Sequence, residues 1–201
     1  MNKNLLNFML NIQKKQGFLY KLILSVNELY IKSFLSGQLG PSKGYAEAFS
    51  AGGEEFVIRV LGASGQAKVC DFFKYSIKAG GPDYVMPHKT DAGSIEKIFK
   101  MVSHIPLGIF HNDDLVGYAL IRLLFPKRAS YAIFVSDKWQ GKGIGTAALG
   151  KQLDLIRKLK FEPHSAVSKK NARSIKMLKK LGIEYTDDLG DYFEVKDRNG
   201  A

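Results

Sequence analysis

"VSDKWQGKGIGTAAL", residues 135–149, sets glycines at 141, 143 and 145 immediately before a helical apolar pattern. Glycine loses more conformational freedom on ordering than any other residue. Three of them at a helix start therefore imply that something needs close access to the backbone. A helix N-terminus offers unpaired N–H groups and partial positive charge, and phosphate is its usual guest. The stretch reads as an anion cradle formed by the N–H groups from Gly141 to Thr146. Downstream, Ile144, Ala148, Ile156 and Leu159 fall along one side of a helix, with Gln152 among them.

Two familiar glycine motifs fit poorly. Gly143-Ile144-Gly145-Thr146-Ala147-Ala148 satisfies G-x-G-x-x-A, but that dinucleotide fingerprint opens its domain, with strand–helix units to follow. Here only about fifty residues follow, and they end in a strand pair. A P-loop requires G-x-x-x-x-G-K-[ST], which is absent.

Charge surrounds the cradle. The 201-residue chain carries a net +11, and residues 136–181 hold twelve Lys and Arg against three Asp and Glu. The last twenty residues reverse this, with two basic and six acidic side chains. Such a cluster suits nucleic acid, a ligand with several phosphates, or simply a solvated helix face. Nucleic acid calls for interleaved aromatics, and between 136 and 181 only Trp139 and Phe161 are aromatic. Both read as packing residues. Cys70 is the single cysteine, so no internal disulfide forms. His88, His104, His111 and His164 lie far apart and at no metal-ligand spacing, so no metal is expected. With no run of roughly 20 apolar residues and no convincing signal peptide, the expected location is cytoplasmic.

The rest of the chain supplies a mixed α/β pattern. Residues 18–35 have helical apolar spacing, although a hairpin turning at Asn27-Glu28 also fits. "SGQLGPSKGYAEAFSAGGEE" reads as a linker. The division drawn is an N-terminal helical extension and linker, 1–54, followed by one domain, 55–201. Within it come a strand (EFVIRVLG), helices over 66–78 and 90–103, the second capped by Thr90 or Asp91, and three strand-like runs ending at "RASYAIFVS". The cradle helix follows, then the strand "HSAVSK", the helix "ARSIKMLKKL" closed by Gly182, and two strands joined by an acidic turn. This order predicts a mostly antiparallel twisted sheet flanked by helices rather than a doubly wound fold.

Gln140-Gly141-Lys142-Gly143-Ile144-Gly145 matches the Q/R-x-x-G-x-G/A signature of the GNAT superfamily of acyl-CoA N-acyltransferases, and "VSKKNARSIKMLKKLGI", residues 167–183, resembles that family's second block. The resemblance spans about residues 55–201. It implies the GNAT fold and acetyl-CoA as acyl donor, with its pyrophosphate on Gly141–Thr146 and with Lys142, Arg173 and Lys176 as charge partners. It also implies that the strand 128–136 parts from the next one, so that Phe134 and Val135 offer backbone groups to the pantetheine arm. Asn171, which is equally a helix N-cap, and Ser174 would help to hold that arm.

The resemblance leaves the acid and base open. Many members carry a tyrosine seven residues after the asparagine, where this chain has Leu178; Leu178 therefore reads as packing. Tyr185 and Tyr192 are possible substitutes. A carboxylate often stands where this chain has Ser130. Alternation puts Ser130, Ala132 and Phe134 on one face. The catalytic candidates are His88, Ser130 and Ser174. His88 lies in "MPHKTD", before the second helix, and is the favoured base; His164 reads as structural. A Pro-His there resembles GNAT proteins of surface-polysaccharide and sugar-nucleotide pathways. The expected activity is acetyl transfer to a primary amine of a small molecule, an amino sugar or sugar nucleotide among them. Alternatives are a protein or peptide acetyltransferase and a non-catalytic acyl-CoA-binding module. The segment 18–35 would pack on its own domain or form a homodimer, with a membrane surface as the other option.

Overall fold

The structure is a computed structural model, and it describes residues 17–35, 44–76 and 88–196. The "MP" that precedes His88 lies outside them. Helix α1, Gly17–Leu35, comes first, followed by strands β1, Ala46–Ala51, and β2, Glu54–Val60. Helices α2, Gly65–Tyr75, and α3, Ala92–Lys100, lead to β3, His104–His111, β4, Asp114–Leu124, and β5, Arg128–Val135. Then come helix α4, Ile144–Lys158, β6, Glu162–Ser168, helix α5, Ala172–Lys180, β7, Glu184–Asp188, and β8, Tyr192–Lys196.

These strands form one sheet in the order β1-β2-β3-β4-β5-β6-β8-β7. Every neighbouring pair is antiparallel except β5 and β6. The mixed, mostly antiparallel sheet expected from the element order is therefore present, with five α-helices around it among the described residues. On one side, Val69 and Phe72 of α2 and Ile95 and Ile98 of α3 pack against Tyr118, Leu120 and Phe134. The larger core holds Leu149, Leu153 and Ile156 of α4 against Ile109, Ala119, Ile121 and Ala129. Central strands covered on both faces carry near-continuous apolar runs, and β4 from Val116 to Ile121 is buried throughout.

Local chemistry explains the boundaries. Asp91, not Thr90, caps α3 by accepting Ser94 N–H at 2.9 Å. The linker reading fails at residues 46–51, which form β1 paired with β2 from Ala46↔Arg59 to Ala51↔Glu54. Gly52 and Gly53, both at positive φ, make the hairpin turn between them. The sheet thus begins eight residues before the boundary drawn at 54. Of the Gly and Ser content that suggested a linker, Ser50 belongs to this edge strand and Gly52 and Gly53 to the turn, while residues 36–43 lie outside the described residues.

Residues 17–35 are a helix, not a hairpin. Helix α1 is fixed on the end of the sheet where β3 begins and β4 ends. The Glu28 carboxylate accepts the N–H groups of Val102 and Ser103 at 2.8 and 3.1 Å. The Asn27 amide donates to the Leu123 carbonyl at 3.0 Å and accepts Phe125 N–H at 2.9 Å. Ile31 is wholly buried. Glu28→Ala leaves two part-buried N–H groups without their acceptor, each worth about 1–3 kcal/mol. The expected result is a clear fall in melting temperature by calorimetry; an unchanged transition would contradict the docking. No described helix is long and apolar enough to cross a membrane.

Candidate active site

The glycine stretch folds as an open loop onto α4. Gly141 and Gly143 sit at φ 82° and 85°, and Gly143 is the left-handed N-cap of α4. A Cβ at either position would meet no atom within 4 Å, so the space beside the backbone is clear. The glycines serve conformation and access, not packing. The helix begins with Ala147 N–H donating to the Gly143 carbonyl at 3.1 Å. The N–H groups of Ile144, Gly145 and Thr146 therefore precede the helical ladder and point out of its end.

Side chains around the loop brace it. Gln140 Nε2 donates to the Val135 carbonyl at 2.9 Å and to Asp137 at 3.0 Å. Arg173 donates to Gln140 Oε1. Gln140 thus ties the loop to the end of β5. The Lys142 ammonium lies 4.4 Å from the Trp139 ring centre and 3.5 Å from Glu54, which also reaches His111 at 2.8 Å. Asn171 caps α5, its side chain accepting Ser174 N–H at 2.9 Å.

Beside this loop the sheet opens. Pairing between β5 and β6 runs only from Arg128↔Glu162 to Ser130↔His164. The Ser165 hydroxyl then donates to the Tyr131 carbonyl at 2.9 Å, and beyond it the strands part. Alternation decides which backbone groups face the gap. Ser136 N–H donates to the Val116 carbonyl of β4 at 2.9 Å. The Phe134 carbonyl also faces β4, 2.9 Å from where a Cβ on Gly117 would stand. The even-numbered residues of β5 therefore turn their backbone to β4, and Ile133 and Val135 turn theirs to the gap. This corrects the placement of Phe134: its side chain packs with Phe73 and Tyr118, and its backbone is engaged within the sheet.

A cleft of about 960 Å³ follows the parted strands from α1 to the N-terminus of α5. Ser130, Ile133, Phe134, Asn171 and Ser174 line it, as does buried Leu178. Ser130, Ala132 and Phe134 do share one face, the one covered by α2 and α3. A polar row crosses the sheet at the apex of the opening, where His104, Arg122, Ser130, His164 and Lys196 are successive register partners. Burial first, then the positive charge of Arg122, pushes His104 down to about 3. Among the described residues no three His, Cys, Asp or Glu side chains gather around one metal position.

His88 is placed differently from expectation. Its Nδ1 lies 2.7 Å from the Lys89 carbonyl, which only accepts, so Nδ1 carries the hydrogen. In the neutral ring Nε2 then accepts from the Tyr118 hydroxyl at 3.2 Å. Burial lowers the imidazole below its ordinary value, opposed by the Lys89 carbonyl and Asp91. His88 is neutral but has both nitrogens engaged, and it is not among the residues lining the cleft. The geometry makes it a clamp on buried Tyr118 rather than a base. His88→Ala should lower stability and leave kcat within about threefold; a loss of 10²-fold or more, the usual effect of removing a positioned base, would restore the catalytic reading. The tyrosine substitutes are also displaced. The Tyr185 hydroxyl donates to the Ile175 carbonyl at 3.3 Å, and neither Tyr185 nor Tyr192 lines the cleft.

The residues that sequence reasoning undervalued are His164 and Glu194, which meet in the cleft from β6 and β8 at 2.7 Å. Only strand pairing brings them together, and no spacing in the sequence reports it.

Comparison with known proteins agrees with this architecture. The model of the acetyltransferase (GNAT) family matches residues 79–183. Among solved structures, the GNAT domain of S. lividans PAT is 13% identical, with a TM-score of 0.62, covering 76% of this chain and 96% of that one. Ribosomal-protein-S5-alanine acetyltransferase from Vibrio fischeri is 15% identical, with a TM-score of 0.61, covering 75% and 96%. PaiA N-acetyltransferase from Thermoplasma acidophilum, solved with coenzyme A, is 16% identical, with a TM-score of 0.60, covering 71% and 98%. At such identities these structures speak for the fold alone. No match is found among curated proteins. A match over more than half of the chain, on a sheet that opens beside a glycine-built helix start, makes this protein a member of the acetyltransferase (GNAT) family.

Proposed function

We propose that the protein is an acetyl-CoA-dependent N-acetyltransferase acting on a primary amine of a small molecule, one that also carries an acidic group. The observation that supports it best is the parting of β5 and β6 beside the glycine loop. Acetyl-CoA supplies an acetyl thioester, already activated toward amines. The residues fit it. The clear backbone at Gly141 and Gly143 and the N–H groups of Ile144, Gly145 and Thr146 suit a pyrophosphate. Lys142 and Arg173 stand beside that loop. The edge formed by Ile133 and Val135 suits an extended pantetheine arm, held like an added strand. Its N–H groups are the donors available to a thioester oxygen.

The acceptor reading rests on the cleft. Helix α1 borders one end, where Leu22 and Val26 form an apolar wall. Arg122 and Arg128 contribute positive charge to the lining, which favours a carboxylate or phosphate on the acceptor. A nucleotide-linked amino sugar meets this description. Thiol release from acetyl-CoA tests it with O-phosphoethanolamine, ethanolamine, glucosamine 6-phosphate and the tripeptide Ala-Gly-Gly. Faster turnover of the phosphorylated amines than of ethanolamine and the peptide is expected. Preference for the peptide would favour a protein acceptor. Acetyl-CoA binding with no transfer to any amine would favour a binding module.

A further inference from the structure

No carboxylate stands on β5 at the apex of the opening, where Ser130 is found. The polar row leads outward from it to one. His164 is the register partner of Ser130 and is 8% exposed. Its Nε2 lies 2.7 Å from Glu194 Oε1 as a close charge contact, Glu194 is 2% exposed, and neither Glu194 oxygen has a hydrogen-bond partner among the described residues. The other ring nitrogen, Nδ1, is buried without a hydrogen-bond partner among the described residues. Both residues line the cleft, and Glu194 is the one carboxylate among its described lining residues. A buried polar atom without a partner destabilises a fold, so a pair kept only to join β6 to β8 would be better replaced by apolar side chains. A carboxylate on one imidazole nitrogen, with the other nitrogen unoccupied, is also how proteins equip histidine to take up a proton.

Resting on the acetyl-transfer reading, we infer that the His164–Glu194 pair takes the proton from the acceptor's ammonium group in the cleft. The N–H bond of the ammonium breaks, and its proton passes to the pair. The freed lone pair forms the C–N bond at the thioester carbonyl carbon, and the C–S bond breaks. Sulfur leaves as thiolate and takes the second nitrogen proton, giving the amide and a free thiol. The pair then releases its proton to water. Glu194 holds the imidazole and balances the charge that the proton brings.

The surroundings keep the pair free of a proton in the resting protein, and the cations among them oppose its charging. Around the pair stand Arg128 on β5, Glu162 on β6, Asp187 on β7 and Lys196 on β8. Burial, then Arg128 and Lys196, pushes His164 down to about 4. Burial and the neighbouring Asp187 carboxylate push Glu194 up from the ordinary carboxylate range. The imidazole is therefore neutral at neutral pH, and the protonation equilibrium belongs to the two groups together.

Glu194→Gln keeps the shape and removes the charge. With the panel amine that the wild type acetylates fastest, kcat at pH 7 should fall by roughly 10²- to 10⁴-fold, while acetyl-CoA affinity by calorimetry stays within about twofold. The deficit should shrink as pH rises toward the amine's own pKa, about 10 for an alkylamine, because the acceptor then arrives neutral. Glu194→Asp should recover part of the rate. Independently of turnover, NMR of labelled histidine in the free protein should show the His164 titration midpoint moving down in Glu194→Gln. A midpoint that does not move, or a folded variant within threefold of wild type, would overturn the inference. A wild-type chain that fails to bind acetyl-CoA would instead strike the acetyl-transfer reading, and the NMR result would still decide whether the pair is coupled.

Discussion

Gly143→Glu is expected to reduce acetyl-CoA binding from the micromolar range by at least about 100-fold, or roughly 2.7 kcal/mol. Two effects act together. Gly143 sits at φ 85°, in the left-handed region, where a side chain costs about 1–2 kcal/mol. The added carboxylate also enters the clear space in front of the first N–H groups of α4, where a diphosphate would need to approach. Gly143→Ala separates the two, since it keeps the backbone strain and adds no charge; it should cost about tenfold. Calorimetry of both variants against acetyl-CoA checks this. Unchanged affinity in Gly143→Glu would place the donor elsewhere.

Leu178→Ala is expected to lower stability by about 2–5 kcal/mol, the usual cost of truncating a buried leucine. Leu178 is 3% exposed and belongs to the core shared by α4, α5 and the sheet. For a chain of this size the melting temperature should drop by roughly 5–15 °C. Turnover measured well below that transition should persist, since a leucine offers no proton to the leaving thiolate, whose reference pKa near 8.5 lets it depart without an acid. A variant with the wild-type transition would refute the packing role.

Much of this architecture was readable because it depends on local chemistry. Glycine before an apolar helical period marked the loop and α4. Asn171 announced a helix start, and its side chain caps α5. Alternation along β5 put Ser130, Ala132 and Phe134 on one face, as observed. The failures are non-local. Strand β1 was hidden because a short, half-exposed edge strand rich in Ala lacks an apolar alternation. Phe134 was placed at the gap because the motif gives the strand but not the parity of its hydrogen bonding, which β4 sets through the register. His88 looked like a free base in a loop, yet Lys89 and Tyr118 take both its nitrogens. His164 and Glu194 are thirty residues apart in the chain and meet only because β8 folds back beside β6. Acid–base chemistry assembled across a sheet leaves no spacing to read.

Amide hydrogen exchange with and without acetyl-CoA tests the central claim most directly. Binding should slow exchange at Ile133 and Val135, whose N–H groups face the gap, and at Gly141 to Thr146 in the loop. The N–H of Phe134, already committed to β4, should change little. Micromolar binding that leaves Ile133, Val135 and the loop exchanging as in the free protein would contradict the account.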